Sequence, residues 1–144
     1  IKPFLEYKDK GIIILCRNSN PGAGEIQDLL IDNKPLYQLI AEKVVEKWNY
    51  NKNCLMLVGA TYPQELGKIR QIAGEMTFLV AGIGAQGGDL AAVLKVGLNK
   101  EGQGMIISAS RSIIFRSDKP DFAEKAREEA KRLCDEINHL KVRS

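Results

Sequence analysis

VAGIGAQGGDLAAVLKVG, residues 80–97, sets Gly82, Gly84 and Gly87 at the spacing G-x-G-x-x-G between an apolar run and a helical pattern. Glycines let a backbone approach an anion closely, and a following helix offers unpaired N–H groups at the positive end of its dipole. Two folds use that chemistry. A dinucleotide-binding sheet places the motif after its first strand and needs an acid about 20 residues on, at the end of the next strand, for the ribose hydroxyls. A β/α barrel builds its phosphate grip from the loops after its last two strands and the start of a short extra helix. What flanks the motif decides between them.

Outward from this loop the chain alternates. Residues 11–16 (GIIILC), 54–60 (CLMLVGA), 77–81 (TFLVA) and 104–109 (GMIISA) are continuous apolar runs, the pattern of strands covered on both faces. Between them lie amphipathic helices. Leu36, Ile40, Val44 and Trp48 recur at i+4 behind Pro35, with Leu39 alongside; Leu66, Ile69 and Ile72 share a face between Pro63 and a C-capping Gly74. Asp89 opens a helix of Leu90, Val93 and Leu94 that Gly97 closes, and a last helix from about Pro120 to His139 turns Phe122, Ala126, Ala130, Leu133 and Ile137 inward. Residues 1–9 read as the end of an earlier helix. Strands alternating with helices imply right-handed βαβ units and a parallel sheet. Four such strands make either a small open sheet or half of an eight-stranded barrel, a fold of about 250 residues.

The strand after the motif ends Ser108-Ala109-Ser110-Arg111, without a carboxylate, and the motif follows the third strand rather than the first. Arg111 could accept a 2′-phosphate, which keeps an NADP-dependent oxidoreductase as an alternative. In the barrel reading, GIGAQGG (82–88) and SRSIIF (110–115) are the last two loops. Arg111 then brings a planar cation to a phosphate, and the N–H groups around Gly87 and Gly88 bring neutral donors. A surface salt bridge is the plain alternative for Arg111.

The 144 residues, 44% hydrophobic and 27% charged, have the composition of one soluble globular domain. No apolar run approaches the roughly 18 residues of a membrane helix and no signal-peptide layout opens the chain, so a cytoplasmic protein is expected, with no membrane partner. Cys16, Cys54 and Cys134 form no C-x-x-C pair and have no histidine companions, so they read as buried or half-buried thiols and no metal site is expected. A net charge of +3 without a basic stripe points away from nucleic acid. The opening Ile1-Lys2-Pro3-Phe4 lacks an initiator methionine and suggests a piece of something longer.

Taken together and in order, CRNSNPG (16–22), VGATYP (58–63), GIGAQGGD (82–89) and SRSIIF (110–115) resemble the orotidine 5′-phosphate decarboxylase family, in particular its longer bacterial subgroup, over nearly the whole chain. The resemblance implies an α/β fold: a (β/α)8 TIM barrel of which residues 1–144 are the C-terminal half, strands five to eight with their helices, in one domain. Ser19 resembles the serine that hydrogen-bonds the pyrimidine edge. Gln86 is similar to the glutamine that bridges the phosphate end and helps close the lid, and Arg111 to the arginine that grips the phosphate, assisted by the backbone at Ser110 and by the loop of Gly84, Gly87 and Gly88. Ala81 stands where a proline often precedes the glycine loop, and Ser110 where several relatives have glycine.

The family converts orotidine 5′-phosphate to uridine 5′-phosphate and CO2 without metal or organic cofactor. The resemblance places the catalytic lysine and aspartates in the other half of the barrel, so no catalytic residue is expected here and this chain alone is expected to be inactive. It also implies the N-terminal half as partner and a homodimer when complete. A fused uridine monophosphate synthase and a non-catalytic phosphate-binding half barrel are the alternatives. Lys8-Asp9-Lys10 precedes a strand and reads as a solvated helix end, His139 as exposed, Asp89 as a helix cap, and Tyr62 and Trp48 as packing residues.

Overall fold

Each apolar run becomes a strand in the computed structural model, which describes residues 1–84 and 86–141. The strands are β1 (Ile12–Arg17), a hairpin of β2 (Leu30–Ile31) and β3 (Lys34–Pro35), then β4 (Cys54–Gly59), β5 (Phe78–Ala81) and β6 (Met105–Ser108). The helices are α1 (Lys2–Leu5), α2 (Gly24–Gln27), α3 (Leu36–Lys43), α4 (Pro63–Ala73), α5 (Leu90–Gly97), α6 (Arg111–Ile114) and α7 (Phe122–Lys141). β1, β4, β5 and β6 pair in parallel in that order. Each new strand adds on the same side, so among the described residues the sheet has no reversal of strand order. A dinucleotide fold binds its ligand at such a reversal, and its absence here counts against the NADP reading.

The sheet has two unlike faces. Cys54, Met56, Val58, Phe78 and Val80 point to the helices and are buried against Leu66 and Ile69 of α4 and Val93 and Leu94 of α5. The alternate residues form rows across the other face, Ile13 beside Leu55 and Leu57 beside Leu79 beside Ile106. Ile13, Leu15 and Ile106 there are exposed. An apolar face without cover is what half of a barrel presents to its own interior.

Several local details depart from the expected pattern. Along α3 and the π turn over Val44–Trp48 that continues it, Val44 is buried and Ile40 and Trp48 pack on the core as anticipated, but Tyr37 and Ala41 join the buried stripe in place of Leu36. The hairpin carries Asp32 and Asn33 at positive φ, 51° and 62°, the conformation a two-residue loop demands. On α7, Phe122 and Ala130 are exposed rather than inward, because the helix lies over the open edge of the sheet; Leu133, Ile137 and Leu140 pack on the core. Cys134 on the same helix is exposed, against expectation, while Cys16 and Cys54 are buried. Gly74 caps α4 at φ +56° and Asp89 caps α5 through the Ala92 N–H at 3.1 Å, both as expected. No helix among the described residues is long and apolar enough to cross a membrane.

At the N-terminal end of the strands, Arg70 of α4 ties the fold together. Its guanidinium donates to the carbonyls of Gly97 (2.8 Å), Gly74 (2.7 Å), Met76 (2.6 Å) and Gly104 (3.0 Å), and lies 3.8 Å over the Phe78 ring. It closes the C-terminal turns of α4 and α5, whose last carbonyls have no intrahelical partner. Burial pushes this arginine down to about 10, so it remains a cation at neutral pH.

Candidate functional site

The C-terminal ends of the strands carry the residues singled out from sequence. After β5 the chain does not run straight into α5. It folds back on itself: Gly88 donates its N–H to the Gly82 carbonyl at 3.1 Å and Gly87 to the Gly84 carbonyl at 2.9 Å, with φ of 101°, 74° and 81° at Gly82, Gly84 and Gly87. These angles suit glycine. After β6 the chain turns at Ser110, whose carbonyl accepts from Ile113 (3.1 Å) and Ile114 (2.8 Å), into the short α6. The N–H groups of Arg111 and Ser112, ahead of these two, have no intrahelical acceptor.

Between these two loops lies an open pocket of about 160 Å³, lined by Ala81, Gly82, Ile83 and Gln86 from one side and Ser108, Ser110, Arg111 and Ser112 from the other. Arg111 is exposed at its rim and, among the described residues, makes no ion pair, so the salt-bridge alternative is not realised. A planar cation with its donors free beside helix-start N–H groups is suited to a phosphate dianion.

Ser19 reaches the site from the far strand. Its Oγ donates to Gln86 Oε1 at 2.8 Å, and its carbonyl accepts from Thr61 Oγ1 at 2.8 Å. Two glycines make the approach possible. A Cβ on Gly59 would lie 2.6 Å from the Ser19 nitrogen, and one on Gly82 would lie 2.9 Å from both Gln86 Oε1 and Ser19 Cβ. Ser19 and Gln86, from loops at the ends of different strands, therefore touch directly.

The structure thus brings together Ser19, Gln86, Ser110 and Arg111. Gly84, Gly87 and Gly88 are on the same loop but off the pocket wall, and the N–H groups of Gly87 and Gly88 are spent within the loop. These two bonds hold the turn that carries Gln86 to the pocket. Gly82, Ser108 and Ser112 line the pocket without having been picked out; the motif spacing contained Gly82, but nothing in sequence distinguishes the serines. Tyr62 packs under a buried arginine, Trp48 packs on the core and His139 is exposed, as expected.

The parallel sheet, its helices and its uncovered apolar face together define half of a β/α barrel. No family model matches the chain. It is 49% identical over 138 residues to orotidine 5′-phosphate decarboxylase from Cellvibrio japonicus, covering 96% of this chain and 50% of that protein. It is 47% identical over 141 residues to the enzyme of the same name from Cupriavidus necator, covering 98% and 52%. Its fold superposes on the OMP decarboxylase of Leishmania donovani with a TM-score of 0.86 and 38% identity, over 98% of this chain and 52% of that one. With the UMP synthase of Leishmania donovani the values are 0.89 and 41%, over 97% and 30%. The chain belongs to the orotidine 5′-phosphate decarboxylase family, and it spans about half the length of the curated relatives it matches.

Proposed function

We propose that residues 1–144 are the C-terminal half of a decarboxylase barrel that converts orotidine 5′-phosphate to uridine 5′-phosphate and CO2, and that this half carries the phosphate and pyrimidine contacts. The observation that carries the reading is the convergence of Ser19, Gln86 and Arg111 at one end of the sheet, with Ser19 hydrogen-bonded to Gln86 at 2.8 Å and Gln86 and Arg111 on facing walls of one pocket. Arg111 holds the phosphate, Gln86 spans from it toward the base, and Ser19 reads the pyrimidine edge. In the reaction the bond from C6 to the carboxylate breaks, its electron pair stays on C6, and C6 takes up a proton. By the family resemblance the lysine that donates that proton, and the aspartates beside it, belong to the complementary half, and no metal or organic cofactor takes part. Phosphate contacts act on such a reaction from a distance, since binding energy there fixes the reacting ring in place. The complete protein is then a cytoplasmic homodimer, with the open face of this sheet covered by the complementary half.

The test is a single-chain barrel in which the half of the Cellvibrio japonicus relative that this chain does not match is fused ahead of Ile1. Calorimetric titration with uridine 5′-phosphate, uridine and NADPH is expected to show binding of the nucleotide and not of NADPH. Arg111→Ala should cost about 2–5 kcal/mol in kcat/KM, with kcat falling as well as KM rising, because a charged partner of a partly desolvated anion is lost. Binding of NADPH without uridine 5′-phosphate, or unchanged nucleotide affinity in Arg111→Ala, would overturn the assignment. The likeness to a UMP synthase supports a second reading, in which this barrel is one part of a fused protein. The mass of the native polypeptide decides between the two.

A further inference from the structure

Strand β1 does not keep its alternation to the end. Leu15 pairs with Leu57 but Arg17 pairs with Val58, so Cys16 is an extra residue in the ladder. Bulges of this kind bend a strand and re-aim side chains, often beside active sites. In consequence Cys16 and Arg17 are both buried, and the Arg17 side chain is 1% exposed.

Arg17 is poorly explained as a device for stability. A buried cation is costly to desolvate unless all its donors are matched, and an apolar side chain of like volume does as well or better in such a place. Its one acidic partner, Asp28 at 3.2 Å, is half exposed, and its Nε has no partner among the described residues. What the guanidinium does is join separate segments. One Nη donates to Gln27 Oε1 at 3.2 Å and the other to Asp28 Oδ2, while the same Gln27 oxygen accepts the Asn18 N–H at 2.9 Å. The cation sits 4.4 Å over the ring of Tyr62 and 5.7 Å from that of Tyr37. Tyr62 follows Thr61, which holds the Ser19 carbonyl. Both ends of the loop 18–28 and the neighbouring loop are thus fastened to one side chain, and Ser19 is suspended between the fastenings. Gly24 belongs to the arrangement, because a Cβ there would lie 2.7 Å from Asp28 Oδ2.

We infer that Arg17 is a positioning residue for base recognition: it sets the shape of the loop 18–28 so that Ser19 faces Gln86 and the ligand. The inference rests on the proposed reading of Ser19 as the residue that meets the pyrimidine.

The fused barrel described above serves for the test, titrated with uridine 5′-phosphate and with ribose 5-phosphate, which carries the phosphate without the base. The ratio of the two affinities isolates the base contribution. Arg17→Met should lower that ratio by about 10-fold or more, the size expected when a charged hydrogen-bonding partner is lost, while ribose 5-phosphate affinity stays within about twofold. Arg17→Lys should recover part of it, because a point charge cannot serve two acceptors as a planar fork does. Gln27→Met and Asp28→Asn, on the outer side of the arrangement, should shift the ratio in the same direction by less, and they decide the matter if Arg17→Met does not fold. Equal weakening of both ligands would mark Arg17 as merely structural and refute the inference, as would variants that change neither. A parent barrel that binds neither ligand refutes the proposed function, and this inference with it.

Discussion

Replacing Gly82 by alanine tests the geometry of the site through a single atom. The residue holds φ +101°, where a side chain is strained, and the added Cβ would sit 2.9 Å from Gln86 Oε1, 2.9 Å from Ser19 Cβ and 3.2 Å from Ser19 Oγ. The backbone strain alone costs about 1–3 kcal/mol. The contacts are with side chains, which can swing away, but doing so breaks the Ser19–Gln86 hydrogen bond and gives up about 0.5–1.5 kcal/mol more. Gly87 is the internal control, since it lies on the same loop at φ +81° with nothing within 4 Å of an added Cβ. Gly87→Ala should therefore show the backbone cost and little else. Urea unfolding followed by fluorescence of Trp48, the single tryptophan, reads stability, and titration of the fused barrel with uridine 5′-phosphate reads the site. Gly82→Ala is expected to be the less stable of the two by about 1 kcal/mol and to lose roughly 10-fold or more in nucleotide affinity, where Gly87→Ala loses little. Equal stability and equal affinity in the two variants would refute the argument that Ser19 and Gln86 need this glycine in order to meet.

Three further outcomes follow from other parts of the fold. Arg70→Met should destabilise the chain by about 3–5 kcal/mol, because four carbonyls, two of them at helix ends, lose a charged donor; a shift in the urea midpoint equivalent to under about 1 kcal/mol would contradict that role. Burial pushes the Cys16 thiol up to about 12 and raises that of Cys54, whereas Cys134 is exposed. Iodoacetamide at pH 8 should accordingly modify Cys134 in the native chain and the other two only on unfolding, as peptide mass mapping would show. Hydrogen bonds from Arg132, at 2.7 and 3.0 Å, hold the Glu129 carboxyl below the ordinary carboxylate range. That contribution is present above the unfolded carboxylate value and lost as pH falls through the lower folded one, so Glu129→Gln should flatten the loss of stability below about pH 4.5, measured as urea midpoints between pH 3.5 and 6.

The sheet was legible because its strands are buried toward helices along continuous apolar runs, and the caps at Pro63, Gly74 and Asp89 obey local rules that tertiary context does not override. The burial of Tyr37 in place of Leu36 at the start of α3 was not. Leu36 and Tyr37 both fit an apolar face, and only the contact with β1, where the Cys16 thiol meets the Tyr37 carbonyl at 3.2 Å, chooses between them. The hairpin did leave a signal, an Asp-Asn pair between Ile31 and Lys34. Its strands are two residues each, too short for any periodicity to register. At the site, residues defined by charge or by motif were readable, and those defined by who meets whom were not. The pairing of Ser19 with Gln86 spans 67 positions and depends on the missing Cβ atoms of Gly59 and Gly82. In the bare sequence Arg17 is one basic residue of 21, and nothing short of the bulge at Cys16 marks it as buried.

The division of labour in the site follows from which walls this half can build alone. A phosphate needs convergent donors at strand ends, and on the proposed reading Gln86 and Arg111, on the adjacent loops after β5 and β6, supply them. A pyrimidine ring needs two faces and an edge held, and here only Ser19 and Gln86 on one side are in place. Beneath them the rows of Ile13 with Leu55 and of Leu57, Leu79 and Ile106 face outward, and the outer edges of β1 and β6 present unpaired backbone groups. Both are unfavourable in water and both are relieved by the same event, a further set of parallel strands closing against the two edges. Closure would bring the missing wall of the base pocket in the same movement. On the proposed reading, phosphate grip and base recognition are coupled through the fold itself: the first is built on adjacent strands of this half, and the second is completed only when the exposed apolar face of this sheet is covered.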